Sequence, residues 1–366
     1  MTMEVLADWV SKVSNVVWNG LLLYLLVGTG IVFTIRTRFV QVRKFGAGWK
    51  HLFGHFSLNG EKAGKDGMSP FQALTTAIAA QVGTGNIAGA ATALYSGGPG
   101  AIFWMWLSAF FGMSTIYGEA VLAQKYKTTD DKGHVTGGPI YYIRARFTGK
   151  FGKFLAGFFS VAIIFALGFT GNMVQANSIS VAFNTAFGAP MIVVGIICAI
   201  IAAFIFLGGV GRIAAVTEKV VPIMALFYMG GAVVVLWVHR ANLPQAFAQI
   251  CSMAFDTRAG TGGVLGYGMT QAVRAGVSRG VFSNEAGLGS SVMVHAAADA
   301  KEPCEQGMWA VFEVFFDTIV MCSVTAFVIL TSGVYDVSRY ALASGTPLLS
   351  QLTTGAQLTA EAFSTV

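Results

Sequence analysis

Small and polar residues interrupt a long apolar segment in the first quarter of this sequence. The segment runs from about residue 71 to residue 95 without a charged residue, and roughly 20 apolar residues suffice to cross a bilayer as a helix. Its centre reads Gln-Val-Gly-Thr-Gly-Asn over residues 81–86, which predicts a helix that is broken at mid-membrane. Backbone groups freed by such a break are tolerated only where they line a site, as in the binding sites of transporters.

The composition indicates a membrane protein. Hydrophobic residues make up 55% of the chain and charged residues 11%, whereas about a quarter of an ordinary soluble domain is charged. No polar segment has the size of a domain, so we predict one all-α transmembrane domain over residues 1–366. Eight apolar runs are expected to form helices, at about 16–35, 70–96, 101–124, 154–187, 191–210, 220–238, 262–299 and 307–331.

The basic residues alternate between the two ends of these runs. Most of the 23 Lys and Arg residues follow the first, third, fifth and seventh runs, and basic loops mark the cytoplasmic side. We therefore expect a multi-pass protein of the plasma (inner) membrane, in contact with lipid and with its N-terminus outside. The basic loops on the cytoplasmic side account for the net charge of +6. The charge therefore does not indicate nucleic-acid binding, and we predict no nucleic-acid partner. The cysteines lack metal-ligand spacing, and we predict no cofactor.

The seventh run contains a second interruption. Two arginines, Asn284 and Glu285 lie there among several glycines, which predicts two half-helices around a break near residues 280–287. Breaks at matching positions of two halves point to an inverted repeat. A five-plus-five repeat needs three spans more than this chain has, so we expect its C-terminal helices to be absent from the chain.

The glycines of the first break allow three interpretations. A dinucleotide loop is disfavoured, because Gly83, Gly85 and Gly89 lie in an apolar helix without a preceding strand. Close packing against another helix is the second, since Gly85 and Gly89 form a GxxxG pair. The third is an unwound turn whose N–H groups begin the next half-helix and favour a carboxylate, while freed carbonyls bind a small cation.

Four stretches resemble the alanine or glycine:cation symporter family. They are GTGNIAGAATAL (83–94), SGGPGAIFWMW (96–106), GGPIYYI (137–143) and SRGVFSNEAGLGSS (278–291). The resemblance implies a leucine-transporter-type inverted-repeat bundle with one extra N-terminal helix, and Na⁺-coupled uptake of alanine or glycine. Val82 to Asn86 also resembles the V-G-x-G-N of that wider fold. This implies that Asn86, beside Val82, is a Na⁺ ligand, and that Gly83, Thr84 and Gly85 hold the substrate carboxylate.

Polar residues in later runs complete the candidate substrate site. Gln175 is expected to reach the substrate, the alternative being a hydrogen bond between helices. Phe165 and Phe169 are expected to be core residues or walls of a small pocket. Backbone atoms of the second break are candidates for binding the substrate amine, with Ser283 as an ordinary helix N-cap as the alternative. The residues of that break are Gly280, Val281, Phe282 and Ser283.

Acidic residues supply further candidates. Asp317 lies about ten residues into its helix, near the midplane, where an acidic residue is by default functional. It is a tentative Na⁺ ligand, or else a partner of Arg274. Glu285 is a candidate gate residue that pairs with Arg274 or Arg279, and Glu119 is expected to anchor the end of its helix.

These observations predict a secondary symporter that moves a small neutral amino acid with Na⁺ by alternating access. An H⁺-coupled amino-acid permease is the alternative, followed by a membrane channel, which would need serial weak sites along a pore. No nucleophile motif such as GxSxG is present, so an enzyme is not expected. The sequence leaves the oligomeric state open.

Overall fold

The computed structural model describes residues 3–54, 68–131, 133, 135–255, 267–336, 353 and 355–366. In the first half the helices are α1 (Met3–Val16), α2 (Leu23–Arg36), α3 (Val40–Arg43), α4 (Phe45–Gly54), α5 (Pro70–Gln81), α6 (Ala90–Gly97), α7 (Gly100–Lys125), α8 (Pro139–Arg146) and α9 (Gly149–Ile163). A two-residue antiparallel pair, β1 (Thr128–Thr129) and β2 (Val135–Thr136), precedes α8.

The second half continues the same helical pattern. Its helices are α10 (Asn172–Phe187), α11 (Met191–Phe206), α12 (Gly209–Val238), α13 (Leu243–Met253), α14 (Tyr267–Asn284), α15 (Ser291–Ala296), α16 (Pro303–Val314), α17 (Ser323–Thr331) and α18 (Gly355–Phe363). Short 3₁₀ and π-helical turns join several neighbours, at Val17–Leu22, Gly85–Gly89, Ile164–Gly171, Arg240–Asn242 and Phe315–Cys322. Single π-helical turns inside α-helices are frequent at functional sites.

The helices have the length and composition of membrane spans. Within the described ranges, four are long and apolar enough to cross a bilayer alone, and two shorter apolar helices and two interrupted segments match the remaining predicted runs. The expectation of an all-α membrane protein is confirmed. The four are Gly100–Lys125, Gly149–Phe187, Gly209–Val238 and Pro303–Thr331, and the shorter two are Leu23–Arg36 and Met191–Phe206.

The first interruption lies where the sequence predicts it. Helix α5 begins at a capping box. Ser69 Oγ accepts from the backbone N–H of Gln72, and the side-chain oxygen of Gln72 accepts from the backbone N–H of Ser69. The helix ends at Gln81, and Val82 takes an extended conformation with φ −75° and ψ 97°. The chain becomes helical again at Gly85. This leaves two half-helices around residues 82–84.

The second interruption lies later than predicted. Helix α14 continues to Asn284, and the break occupies residues 285–290. Glu285, Gly287 and Gly289 all have positive φ values there, of 53°, 92° and 82°. Left-handed backbone ends a helix, and glycine adopts it without steric cost. The predicted break near residues 280–287 is therefore wrong in its first half, because the glycines that stop the helix are the two that follow Asn284.

The core forms around α7. Helices α2, α14 and α16 pack against it, and small residues allow the close approach. A Cβ added to Gly276 of α14 would lie 2.2 Å from the backbone oxygen of Ala101, and one added to Gly280 would lie 2.5 Å from Ser108 Oγ. Small residues let helix backbones come together in the same way in other membrane proteins. The second broken helix is thereby held firmly against α7.

Helix α18 covers the second half of the first broken helix. Leu358, Thr359 and Ala362 of α18 are buried, and Thr359 Oγ1 donates to the backbone oxygen of Ile87 at 3.0 Å. The carbonyl of Ile87 lies just beyond the break, in the turn Gly85–Gly89. The contact fixes α18 directly to the backbone beside the candidate site.

Candidate functional site

A fully buried carboxylate lies where the two breaks meet. Asp317, in the π-helical turn after α16, has no exposed surface. Its Oδ1 accepts from Asn86 Nδ2 at 2.6 Å and from Ser283 Oγ at 3.1 Å, and its Oδ2 accepts from Thr318 Oγ1 at 2.7 Å. Among the residues that the structure describes, no Lys, Arg or His pairs with it, so pairing with Arg274 does not occur. A buried carboxylate of this kind needs a cation or a proton, because desolvation strongly disfavours its bare charge.

Asn86 connects this carboxylate to the first break. Its Oδ1 accepts from the backbone N–H of Gly83 at 2.8 Å. Its Nδ2 also lies 2.9 Å from the backbone oxygen of Asp317 and 3.2 Å from Ser283 Oγ. The amide oxygen therefore stabilises the unwound turn, while the amide nitrogen faces the carboxylate. Rotating the amide by half a turn would turn the oxygen toward Asp317, at the cost of the bond from Gly83.

A chain of polar side chains links the breaks to each other. Gln81 Nε2 donates to the backbone oxygen of Asn284 at 2.7 Å, and Asn284 Nδ2 donates to Thr318 Oγ1 at 3.1 Å. Asn284 Oδ1 accepts from the backbone N–H of Ala286 at 3.1 Å. Gln81, Asn284 and Thr318 are not among the site residues that the sequence predicts. The available signal was their position, since Gln81 and Asn284 end the two broken helices and Thr318 follows Asp317.

Gln175 lies at the first break. The backbone N–H of Thr84 donates to its Oε1 at 3.4 Å, and a Cβ added to Gly83 would lie 3.3 Å from the same oxygen. The hydroxyl of Thr84 is buried and has no hydrogen-bond partner among the described residues. A buried hydroxyl without a partner is costly. Its position at the break, beside Gln175, is one that a polar ligand would satisfy.

The two glycines of the GxxxG pair differ in their surroundings. A Cβ added to Gly85 would lie 3.1 Å from both Cα and Oγ of Ser283, whereas one added to Gly89 would meet nothing within 4 Å. The interpretation as a helix-packing pair therefore holds only for Gly85. Its packing partner is the end of the second broken helix, which brings the two breaks into direct contact.

The residues predicted to offer backbone atoms at the second break lie inside α14. The carbonyl of Val281 accepts from the backbone N–H of Glu285 at 3.0 Å, Gly280 faces Ser108, and Phe282 is half-exposed. Ser283 is in the last turn of this helix, so the interpretation as an N-cap is wrong. Its hydroxyl, by contrast, reaches the carboxylate cluster.

The predicted aromatic walls lie away from this cluster. Phe165 and Phe169 are 60% and 57% exposed, and their rings stack on each other with centroids 5.5 Å apart. They lie within the π-helical turn Ile164–Gly171, on an outward face of the long helix. The structure does not bring these two rings together with Gln175 at the break, and they are not core residues either.

Two acidic side chains hold the loop of the second break. Glu119 Oε2 accepts from the backbone N–H of Gly287 at 3.0 Å, and a Glu285 oxygen accepts from the Ser290 hydroxyl. In the described part of the chain no ion pair joins Glu285 to Arg274 or Arg279, so the predicted pairing is absent. Glu119 does more than anchor the end of its own helix, because it binds the backbone of the break.

These features define a class of protein. Interrupted helices that meet at a buried carboxylate inside an apolar bundle are the mark of an integral membrane transporter. The chain belongs to the sodium:alanine symporter family, whose model matches residues 3–366. The resemblance found in the sequence is thereby confirmed, and the members of the family are transporters rather than enzymes.

Several relatives share most of the chain. It is 43% identical to the sodium/alanine symporter AgcS of Methanococcus maripaludis over 97% of the chain and 76% of that protein. It is 40% identical to the probable sodium/glutamine symporter GlnT of Bacillus subtilis, over 91% of the chain and 67% of that protein. It is 39% identical to the putative sodium/proton-dependent alanine carrier protein YrbD of the same species, over 95% of the chain and 68% of that protein.

Proposed function

We propose that this protein is a secondary symporter that takes up a small neutral amino acid, alanine or glycine, with Na⁺. The observation that carries the proposal is the carboxylate of Asp317, which is fully buried and whose hydrogen-bond donors, among the described residues, are all neutral. The membership of the chain in a family of sodium:alanine symporters supports it. We place the protein in the plasma (inner) membrane with its N-terminus outside, on the distribution of the basic residues.

The proposed ion site uses the oxygens around this carboxylate. Na⁺ is a hard cation for which oxygen ligands are suited, and Asp317 supplies both carboxylate oxygens and a backbone oxygen that faces Asn86. The amide oxygen of Asn86, after rotation, and the backbone oxygen of Val82 beside the break complete the set. Bound Na⁺ would replace the Asn86 N–H group as the partner of the carboxylate and neutralise its charge.

The proposed substrate site lies beside the ion. Backbone N–H groups of Gly83, Thr84 and Gly85 hold the substrate carboxylate, because the start of the second half-helix carries a positive partial charge. The unpartnered Thr84 hydroxyl and the amide of Gln175 lie at this turn and offer further hydrogen bonds. Ser283, whose hydroxyl reaches the carboxylate cluster, is proposed for the amine.

Transport then follows from movement of the broken helices. We propose a leucine-transporter-type bundle with inverted repeats, in which the unit that contains both breaks moves against the other helices around one site. The bond from the Gln81 side chain to the backbone oxygen of Asn284 joins the ends of the two broken helices, which supports their movement as one body. A channel is disfavoured, since the polar groups converge at one place rather than along a pore.

Uptake into liposomes tests the proposal. The protein is reconstituted, and uptake of radiolabelled alanine is measured with an inward Na⁺ gradient, with an inward H⁺ gradient, and with neither. We expect concentrative uptake with Na⁺ only. Uptake driven equally by H⁺ alone would favour the alternative of an H⁺-coupled permease, for which the same buried carboxylate would carry the proton. Competition by unlabelled amino acids identifies the substrate: glycine should compete strongly, whereas strong competition by leucine or glutamine would contradict a small pocket.

A further inference from the structure

A second buried polar cluster lies between α15 and α16. His295 Nε2 is 2.6 Å from Glu313 Oε2, and His295 Nδ1 is 2.6 Å from Gln306 Nε2. All three side chains have no exposed surface. The imidazole is therefore held between a carboxylate on one side and an amide on the other, in the interior of the protein.

With the Gln306 amide oriented as it is in this structure, the hydrogen bonds indicate one protonation state for the cluster. Gln306 Nε2 is a donor, so His295 Nδ1 must accept and carries no proton. The single proton of the neutral imidazole is then on Nε2, from which it is donated to Glu313 Oε2. A neutral imidazole beside an ionised carboxylate leaves the cluster with one buried negative charge.

Nothing in the described surroundings neutralises that charge. The acidic residues around Glu313 are Glu119 on α7, Glu285 in the second break and Asp317 beyond α16. Tyr117 of α7 lies beside Gly307 of α16, and none of these groups supplies positive charge. Helix α5 and strand β2, which also pack here, carry no charged residue. The lysines Lys50 of α4 and Lys125 of α7 are exposed.

Two backbone contacts complete the environment of the histidine. Gln124 Nε2 donates to the backbone oxygens of His295 and Ala298, at 2.6 Å and 2.9 Å. Lys127 donates to the same Ala298 oxygen at 3.1 Å, and its charge faces Asp299. These bonds position the turn that carries the imidazole, and the lysine charge is directed to the backbone and to Asp299 rather than to Glu313.

Unpartnered oxygen atoms mark the same cluster. Gln306 Oε1, Glu313 Oε1 and Ser291 Oγ are buried and have no hydrogen-bond partner among the described residues. Ser291 lies one turn before His295 on the same face of α15. Rotation of the Gln306 amide by half a turn would place Oε1 against Nδ1 of His295. The amide would then accept a hydrogen bond from Nδ1 instead of donating one.

We propose that His295, Glu313 and Gln306 form a proton-binding site that is distinct from the proposed Na⁺ site. A proton from solution binds to Nδ1 of His295, the Gln306 amide rotates to accept it, and Nε2–H remains bonded to Glu313. The product is an imidazolium–carboxylate pair without net charge, in which a previously unpartnered oxygen is satisfied. Proton uptake therefore removes both the buried charge and one unmet hydrogen bond.

Occupation of this site is coupled to the neighbouring carboxylate. Glu313 and Asp317 are four residues apart, one helical turn, so a proton at the cluster lowers the negative potential at Asp317. Cation affinity at Asp317 should then fall as the pH falls, and by linkage bound Na⁺ should oppose proton uptake to the same extent. This consequence rests on the proposed Na⁺ site, whereas the proton site does not.

Nitrogen-15 NMR of histidine tests the proton site directly. The protein in detergent micelles is labelled with ¹⁵N-histidine, and the other histidines are replaced so that only His295 reports; these are His51, His55, His134 and His239. Between about pH 9 and about pH 5, the range in which histidine usually titrates, we expect conversion from the neutral Nε2–H tautomer to the doubly protonated ring. A His295 signal that keeps one protonation state over this range would overturn the proposal.

Variants of the two partners separate this site from an ordinary buried histidine. Glu313→Gln removes the carboxylate at constant shape, and Gln306→Met removes the rotating amide; both should lower the pH at which His295 takes up its proton. An unchanged titration in both would overturn the assignment, and the second variant decides if the first does not fold. The exposed Glu361 provides the control Glu361→Gln, which should titrate like the parent.

Sodium binding supplies the second measurement. Na⁺ affinity of the wild type should weaken about tenfold between about pH 8 and about pH 5.5, a coupling in the usual range between two sites, and this dependence should be lost in Glu313→Gln. If His295 titrates but Na⁺ affinity is independent of pH, the coupling between the sites is overturned. If no Na⁺ binds at any pH, the proposed ion site fails while the NMR titration still decides the proton site.

Discussion

The side-chain nitrogen of Asn86 lies 2.6 Å from Oδ1 of Asp317, although the two residues are 231 positions apart in the sequence. The same nitrogen faces the backbone oxygen of Asp317 at 2.9 Å. One residue follows the first helix break and the other lies in a π-helical turn. The contact therefore joins the first helix break to the π-helical turn that follows α16, and it makes each of them dependent on the other.

Replacing Asn86 by alanine should weaken Na⁺ binding. The substitution removes a candidate ligand oxygen and the bond that stabilises Gly83 at the turn. We expect about a tenfold loss of Na⁺ affinity, equivalent to about 1.4 kcal/mol, and a substrate affinity that depends less on Na⁺. Substrate binding across a Na⁺ titration measures both. Asn184→Ala is the matched control, because Asn184 is exposed and its side chain donates to the nearby carbonyl of Ala189; equal behaviour of the two variants would remove Asn86 from the ion site.

Asp317→Asn should separate charge from structure. The amide preserves the shape of the side chain. Its oxygen can still accept from Ser283, and its nitrogen can donate to the hydroxyl of Thr318, so the protein should remain folded in detergent. The negative charge is lost, and with it the attraction for a cation. We expect uptake to lose its dependence on the Na⁺ gradient, measured in liposomes against Asp8→Asn, since Asp8 pairs with Lys12 at the surface. A variant that unfolds in detergent but binds Na⁺ normally in membranes would indicate a structural role instead.

Gln81→Ala should loosen the connection between the two breaks. The side chain is buried, and its Nε2 donates to the backbone oxygen of Asn284. Alanine leaves that oxygen without a partner, which typically costs about 1–3 kcal/mol. Thermal unfolding in detergent should show the loss, and substrate affinity should fall with it. The exposed Gln245 offers the control Gln245→Ala, for which neither measurement should change.

The helix breaks show which parts of the fold can be predicted from the sequence. The first break is correctly predicted, because glycines and amides in an apolar run leave few other structures possible in a membrane. The second is placed about five residues too early. Gly280 is a small residue needed for packing against Ser108, whereas Gly287 and Gly289 are needed for positive φ, and composition alone does not distinguish these two uses of glycine.

The candidate site shows the same limit. Asn86, Asp317, Gln175 and Ser283 are predicted and are found at the breaks, since a polar residue inside an apolar span has few positions available. The five histidines are scattered over loops and helix ends in the sequence. The contact of one of them, His295, with Glu313 depends on the path of the chain through the second break. Tertiary contacts of this kind have no local pattern that would predict them.

Gly276→Ala should destabilise the packing of α14 on α7. The added Cβ would lie 2.2 Å from the backbone oxygen of Ala101, so one helix must move. Overpacking of this kind typically costs about 1–3 kcal/mol, which outweighs the gain of up to about 1 kcal/mol from replacing glycine in a helix. Gly211→Ala in α12 is the control, since its Cβ meets nothing within 4 Å. The melting temperature in detergent should fall for the first variant and not for the second; a fall in both would point to a general intolerance of substitution.

Gly85→Ala and Gly89→Ala form the sharpest pair of variants at the first break. Both residues lie in the same π-helical turn, and neither has a positive φ, so the change in helix propensity is the same. A Cβ at position 85 would lie 3.1 Å from Cα of Ser283, and the backbone there cannot rotate away, whereas a Cβ at position 89 enters open space.

We expect Gly85→Ala to lower substrate and Na⁺ affinity about tenfold, about 1.4 kcal/mol, because it pushes Ser283 away from the carboxylate of Asp317. Gly89→Ala should bind both ligands like the wild type. Binding of radiolabelled alanine at several Na⁺ concentrations measures the difference, and equal affinities in the two variants would contradict a site built from the contact between the two breaks.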